Sequence, residues 1–431
     1  MENGTDSTRI ICLAKTIVQN TQAVDEYLRG NNLPTFDLDD AAAPVIPPTA
    51  QCPEAEAARH AAMAAAEELL NLLGGAFAPL AYDWTGMAVT RAIVKLGVAK
   101  LVPPSTSTDA GLISMSSLAA SAGLPEPLLR RLLRHAMTRH VFREPREGFV
   151  AHTAASAALA RVASPPREAF QFAAEDLWPA GLRLADAIAK WPASEEPTES
   201  GFAAAHAEEG EGGQELKSLW QVLQLDAAKA RRFGGMVELE ASFVGFPLHQ
   251  AEWSGTVVDV GGGSGAVSVD LARRFPDARF IVQDLASVIQ GREAEVPSDV
   301  KGRVQFMAHD LFSEQPVVGA DIYFLRWICH DWSSKYAIQI IRNLIPALKH
   351  GARVRLNEGL MPRPGTFPRR LERAIRDMDI AMMAQFNGQE RDLDEWKELF
   401  AQADTRFKFV SVDTAPPGLM GLIEFEWNTH A

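Results

Sequence analysis

The chain has 431 residues, 47% of them apolar, and 42 basic against 55 acidic residues leave a formal net charge of −13. That length predicts more than one domain, and an acidic balance without a strongly basic block argues against general nucleic-acid binding. Three scattered cysteines, Cys12, Cys52 and Cys329, suggest neither a disulfide framework nor a metal cluster. No signal peptide is recognisable and no apolar run approaches ~18 residues, so the expectation is a cytoplasmic protein without a membrane span.

In chain order, residues 8–28 predict a helix with Ile10, Ala14, Ile17, Thr21, Val24 and Leu28 on one face, stopped at Gly30. It either packs on a partner subunit or covers a groove on its own chain. Residues 31–53, rich in Pro, Ala and Asp, read as a linker, so residues 1–53 form the extension. Residues 54–165 read as a second region. Within it, helices over 114–122 and 128–139, then two short strands over 141–144 and 148–153, outline a winged helix. Arg130, Arg131, Arg134 and Arg139 on its second helix raise DNA reading as a possibility. The apolar spacing of Leu128, Leu129, Leu132 and Leu133 favours the wet face of an amphipathic helix instead.

Residues 166–431 are expected to hold a helical substrate-binding segment and a cofactor domain. An acidic, glycine-rich interval at 195–213 reads as an exposed loop. The runs 170–178 and 219–225 either wall a pocket for a flat apolar substrate or are ordinary core. A helix over 231–243 is expected to lead into the cofactor domain.

That domain opens with a buried strand at 256–260, a turn containing Gly261, Gly262, Gly263 and Gly265, a helix at 266–275 and a second strand ending at Asp284. Such a βαβ unit serves two cofactor classes. The spacing Gly261-x-Gly263-x-x-Ala266 satisfies the loose dinucleotide fingerprint. Asp259, however, stands two residues before the first glycine, where a carboxylate disfavours a pyrophosphate and suits a ligand carrying an ammonium and a sulfonium. S-adenosylmethionine has both cations and no phosphate. Asp284 would then accept hydrogen bonds from the ribose hydroxyls, and Asp310 and Leu311, after a third strand, would border the adenine.

After a fourth strand at 320–325 comes Arg326-Trp-Ile-Cys-His-Asp-Trp332. A histidine just past a strand, on the edge of the glycine turn, stands where open α/β sheets build active sites. A fifth strand ends at Glu358. A helix with Met378, Met382 and Met383 precedes Gly388-Gln-Glu-Arg391, and strands at 407–412 and 421–427 close the sheet as a hairpin around 415–418.

The ordered set Val258-Asp-Val-Gly-Gly-Gly-Ser-Gly265, Gln283-Asp-Leu285, His309-Asp310, Trp327 to Trp332, Asn357-Glu358 and Gly388 to Arg391 resembles the caffeate/flavonoid-type small-molecule O-methyltransferases. The closest likeness is to the fungal branch acting on aromatic polyketides. The resemblance implies a C-terminal Rossmann-like class I methyltransferase domain and an N-terminal, mostly helical winged-helix dimerisation domain, making a homodimer. It implies S-adenosyl-L-methionine as cofactor, a small aromatic substrate, and no metal. His330 falls on the family's base, and Glu358 and Glu390 on the acids flanking it, with Asp331 a further acid nearby. Asp259, Gly261, Gly263, Asp284 and Leu285 fall on cofactor positions. So do Asp310, Leu311 and Arg326, the last two replacing the methionine and lysine common in the plant enzymes.

Three other classes bear weighing: a catalytically silent methyltransferase-like partner or regulator, a winged-helix DNA-binding regulator, and a nicotinamide oxidoreductase. An intact His330, Glu358 and Glu390 set argues against the first, salt-sensitive duplex binding would mark the second, and NADH binding the third.

Overall fold

The computed structural model describes residues 8–105, 111–162, 164–210, 213–243, 247–414 and 420–429. They form two compact units, residues 1–178 with 226–243 and residues 179–225 with 244–431. The units cut the chain elsewhere than the expected boundary at 165. The helix Ala227–Phe243, expected to lead into the cofactor domain, belongs to the first unit because it packs along the helix Pro165–Phe172. Phe172 meets Phe233 edge-on at 5.4 Å, and the buried Asp176 carboxylate accepts from Lys229 Nζ at 2.6 Å. No helix among the described residues is long and apolar enough to cross a membrane.

In the first unit the helix Arg9–Gly30 packs along Pro53–Gly74 of its own chain. It buries Leu28 as expected, but Leu13 takes the place of Ile10, which stays 42% exposed. Which stripe is covered depends on the neighbouring helix, and a one-helix pattern does not contain that. The helices Met115–Ala122 and Glu126–Met137 follow, beside an antiparallel sheet in the order β1-β3-β2. Its strands are β1 (Ile113–Ser114), β2 (Arg143–Arg146) and β3 (Phe149–Ala151). Leu118, Leu129, Leu133, Phe142 and Val150 are buried together at its centre. Arg130 pairs with Glu126, Arg134 with Glu144 at 2.9 Å, and Arg139 with Asp83. Three of the four arginines raised as DNA readers are thus engaged within the fold.

The second unit begins at Pro179, in the helix Trp178–Lys190, and the interval that follows, expected to be an exposed loop, is not one. Gly201–Ala205 is a helical turn with Phe202 and Ala203 fully buried, so its apolar residues outweigh the surrounding acids. A short hairpin follows, β4 (Glu208–Gly210) and β5 (Gly213–Glu215). Residues 211 and 212 lie outside the described set, as does the 415–418 turn.

The main sheet contains β6 (Gly255–Val260), β7 (Ala278–Asp284), β8 (Val304–Ala308), β9 (Ile322–Arg326), β10 (Arg353–Gly359), β11 (Phe407–Thr414) and β12 (Met420–Trp427). Their order is β11-β12-β10-β9-β6-β7-β8, parallel from β10 to β8, and β11 and β12 form the antiparallel closing pair expected from the sequence. One face packs on the helices Ser334–Leu344 and Leu393–Ala403 through residues such as Tyr323, Leu356, Ile341 and Trp396. The other buries Val257, Phe280 and Phe324 with Trp253 and Leu271.

The chain winds outward from β6 through β7 to β8, then returns to place β9 on the other side of β6. Crossovers therefore part between β6 and β9, and the carboxyl ends of those strands open the crevice in which such sheets bind ligands. Register aligns Val260 with Leu325 and Arg326 with Asn357, so the turns after β6, β9 and β10 share one edge.

Candidate active site

The glycine turn after β6 is tied down, mostly to the end of β7. Gly261 and Gly262 both donate their N–H to the Gln283 carbonyl, at 2.8 and 3.0 Å. Gly263 donates to Asp284 Oδ2 at 2.9 Å, and Gly265 to the Gly262 carbonyl at 2.9 Å. Gly261, Gly263 and Gly265 all have positive φ, which permits this path without the strain a side chain would add. Each of these glycine amides already has an acceptor. A pyrophosphate, which needs free N–H donors there, is therefore served poorly.

The carboxylates around the turn reinforce that conclusion. Asp259 is 2% exposed and accepts from Ser268 Oγ at 2.6 Å. Burial lifts it to about 6, although Ser268 and the charge of Arg326 pull the other way. Asp284 is likewise raised by burial, while Oδ1 accepts from Leu285 N at 2.8 Å and Oδ2 from Gly263. The buried Asp259 and half-buried Asp284 carboxyls seek a cation and hydroxyl donors. The ammonium, sulfonium and ribose of S-adenosylmethionine supply these, so the residues present fit that cofactor. Asp310 is exposed at the end of β8, with its side chain turned back onto Phe312 N, and Leu311 is half-buried beside it. Arg326, at the end of β9, stacks its guanidinium 4.1 Å over Trp327. Burial depresses it to about 10 against the pull of Asp259 and Glu358, leaving it charged at neutral pH.

The turn after β9 carries the histidine. Trp327 opens it with φ 55° and donates its N–H to the Asn357 carbonyl at 3.2 Å. A bulky residue in that region costs ~1–3 kcal/mol, a strain found where a fold must aim a side chain. His330 follows, 6% exposed, with Nδ1 2.6 Å from Glu390 Oε1. A carboxylate only accepts, so Nδ1 carries a hydrogen, and Nε2 holds the lone pair once the imidazole is neutral. Asp331 Oδ1 lies 3.5 Å from that Nε2.

Glu358 plays a different part from Glu390. Its Oε1 accepts from Ile328 N at 3.1 Å and Cys329 N at 2.8 Å, anchoring the backbone of the turn, while Oε2 is 3.9 Å from His330 Nδ1. Burial, only partly offset by His330, raises Glu358 to about 7. At His330 burial opposes protonation, but the charges of Glu390, Asp331 and Glu358 prevail and lift the imidazole to about 10.

Several supporting residues escape a reading from sequence alone. Asp379 Oδ1 accepts from Glu390 N at 2.9 Å, and Gln389 N donates to the His330 carbonyl at 2.9 Å. Gly388 packs so closely that a Cβ would sit 2.3 Å from that same carbonyl. A turn signal in the sequence could not have revealed this, since Gly388 does not have positive φ. Of the two possible pocket walls, Phe172 is fully buried in the first unit. Trp220 stacks on Phe386 at 5.0 Å and on Trp332 at 6.0 Å in the second. Met382 is buried, with Met378 and Met383 half-buried beside it.

A seven-stranded sheet with this order, a glycine turn bonded to the end of β7 and acids at the carboxyl edge define a class I methyltransferase. Solved structures with the same fold include OxaC, with a TM-score of 0.74 at 21% identity covering 98% of this chain and all of that one. LepI in complex with SAM gives 0.72 at 22% identity, covering 96% and 100%. Residues 218–406 match the O-methyltransferase domain family. O-methyltransferase AMT9 of Alternaria alternata is 48% identical over 427 residues, 99% of this chain and the whole of that one. Chlorophenol O-methyltransferase of Trichoderma longibrachiatum is 36% identical over 443 residues, covering 99% and 92%. The chain belongs to the S-adenosylmethionine-dependent O-methyltransferases of fungal secondary metabolism.

Proposed function

We propose that this enzyme methylates a phenolic hydroxyl of a small aromatic, polyketide-type metabolite in the cytoplasm, with His330 as general base. The observation that carries the reading is the buried 2.6 Å contact between His330 Nδ1 and Glu390 at the carboxyl end of β9. A phenol with pKa about 10 is protonated at neutral pH and a poor nucleophile. His330 Nε2 takes its proton as the oxygen attacks, and Glu390 holds the ring in the tautomer that leaves Nε2 free. S-adenosylmethionine supplies the electrophilic methyl group, whose bonding pair stays with sulfur. Asp259 and Asp284, beside the glycine turn, hold its cationic and hydroxyl groups, and Leu285, Asp310 and Leu311 border its adenosine. Arg326 supplies a fixed positive charge between Asp259 and Glu358. No metal is part of the reading. The test is transfer of label from methyl-labelled S-adenosylmethionine to the oxygen of phenols and aromatic polyketides. Cofactor binding without transfer to any of them would favour a silent homologue.

The acids that orient His330 also stabilise its imidazolium, so the free enzyme must lose that proton before it can act. We expect kcat/KM to rise with pH along a limb above the ordinary histidine range. Glu358→Gln keeps an oxygen to accept from Ile328 and Cys329 but removes a charge that favours imidazolium. The limb should then move to lower pH by ~1 unit, measured with one phenol in both enzymes. A limb that stays put or moves upward would contradict this electrostatic account.

The same reading includes a homodimer formed through the N-terminal region. It is supported by Leu70, Leu73, Phe77, Leu80, Tyr82 and Trp84, which lie within fifteen residues and are each at least 63% exposed. So dense an apolar surface calls for a partner. Phe77→Asp with Trp84→Asp should shift the mass seen by light scattering from dimer to monomer. A parent protein already monomeric at working concentration would remove the dimer.

A further inference from the structure

Arg391 closes the Gly388 to Arg391 stretch and is only 1% exposed, although it carries a full charge. Burying a guanidinium costs several kcal/mol unless its donors are satisfied. Here backbone carbonyls accept from both Nη atoms, and Nε alone is buried without an acceptor among the described residues. Nη1 donates to Cys329 O at 3.0 Å and to Gln389 O at 3.3 Å, and Nη2 donates to Trp332 O at 2.9 Å. Cys329 and Trp332 immediately flank the His330-Asp331 pair, so one planar fork grips the turn on both sides of the histidine. The guanidinium also lies 5.0 Å from the ring centroid of the fully buried Trp396, which limits its movement.

The backbone of Arg391 makes a second connection. It bridges to Leu360, and its carbonyl accepts from Met361 N at 3.0 Å. This extends the strand that carries Glu358. Glu390, which holds His330 Nδ1, is the preceding residue. The three segments bearing His330, Glu358 and Glu390 are therefore joined at this one residue, by side chain, by backbone and by chain adjacency.

We propose that Arg391 is a positioning residue for methyl transfer, clamping the His330 turn against Glu390 so that Nε2 is held where a phenol must lose its proton. This rests on His330 being the base. Lysine would keep the charge, but a single ammonium cannot span carbonyls on both sides of the turn as the fork does.

The experiment is a double-mutant cycle. Arg391→Lys should lower kcat on the order of 10²-fold, the cost of a misplacement near 1 Å. The cofactor Kd and the KM for phenol should stay within about 3-fold of the parent. In a His330→Ala background the same substitution should lower kcat by less than about 3-fold, because a clamp has nothing to add once the base is gone. Arg391→Gln, which removes the charge, is carried alongside as the second variant. An equal loss of kcat in both backgrounds would overturn the proposal, as would a parental rate in both folded variants. Loss of cofactor affinity in both would assign Arg391 to general folding and overturn it too. A parental rate in His330→Ala alone would remove the base itself, a result distinct from any of these.

Discussion

His330→Ala is expected to bind S-adenosylmethionine at near-parental affinity and to lose 10²- to 10⁴-fold in transfer, roughly the range for a deleted general base. Affinity should survive because Asp259 and Asp284, the carboxyls proposed to hold the cofactor, sit on β6 and β7 with their own internal partners. His330 hangs from the turn after β9. The size of the loss follows from the substrate. With a pKa of about 10, roughly one phenol in 10³ is ionised at pH 7, and without a base only that fraction reacts. The variant's rate should therefore gain about tenfold per pH unit, in parallel with the parent on its own rising limb, whereas its deficit should shrink as phenols of lower pKa are tried. Initial rates with a graded series of phenols at two pH values would measure both. A variant as fast as the parent, or a deficit independent of phenol pKa, would mean that His330 is not the base.

Gly388→Ala is the second large effect expected, and it comes from a residue with no chemistry of its own. Its new Cβ would lie 2.3 Å from the His330 carbonyl oxygen and 2.7 Å from the Asp331 carbonyl carbon. Those are backbone atoms and cannot rotate aside, so the turn must retreat by about 1 Å, a displacement that can cost on the order of 10²-fold in kcat. The glycine's φ lies outside the left-handed region, so the strain is steric contact alone. Gly181→Ala is the control, because a Cβ there meets nothing within 4 Å. That helix substitution should leave kcat unchanged and stability equal or higher by up to ~1 kcal/mol. Equal kcat in the two variants, followed with thermal unfolding, would show that Gly388 does not set the position of His330.

The sheet was legible because its signals are local. Buried parallel strands are short apolar runs, and the βαβ turn has to be built from glycines where φ is positive, so residues 255–285 carry their own geometry. The acidic interval was misread for the opposite reason. Its composition is polar on average, yet Phe202 and Ala203 find a buried place, and an average over a window cannot register two residues. The helix Ala227–Phe243 shows the same limit at the level of units. Its own pattern predicts a helix, whereas its allegiance to the first unit depends on Phe172 and Asp176, more than fifty residues away.

The candidate site divides along the same line. By itself the sequence determined that a carboxylate precedes the glycine turn, that a histidine follows β9 and that acids follow on β10 and near residue 390. These are residue types at strand ends, and strand ends are set by local pattern. Only the tertiary structure decided that Glu390 meets His330 Nδ1 while Glu358 holds the backbone of the turn. It also decided that Asp379, Gly388 and Arg391 support that arrangement. Such relations are contacts of about 3 Å between segments tens of residues apart, and a chain acquires them only when packing brings those segments together.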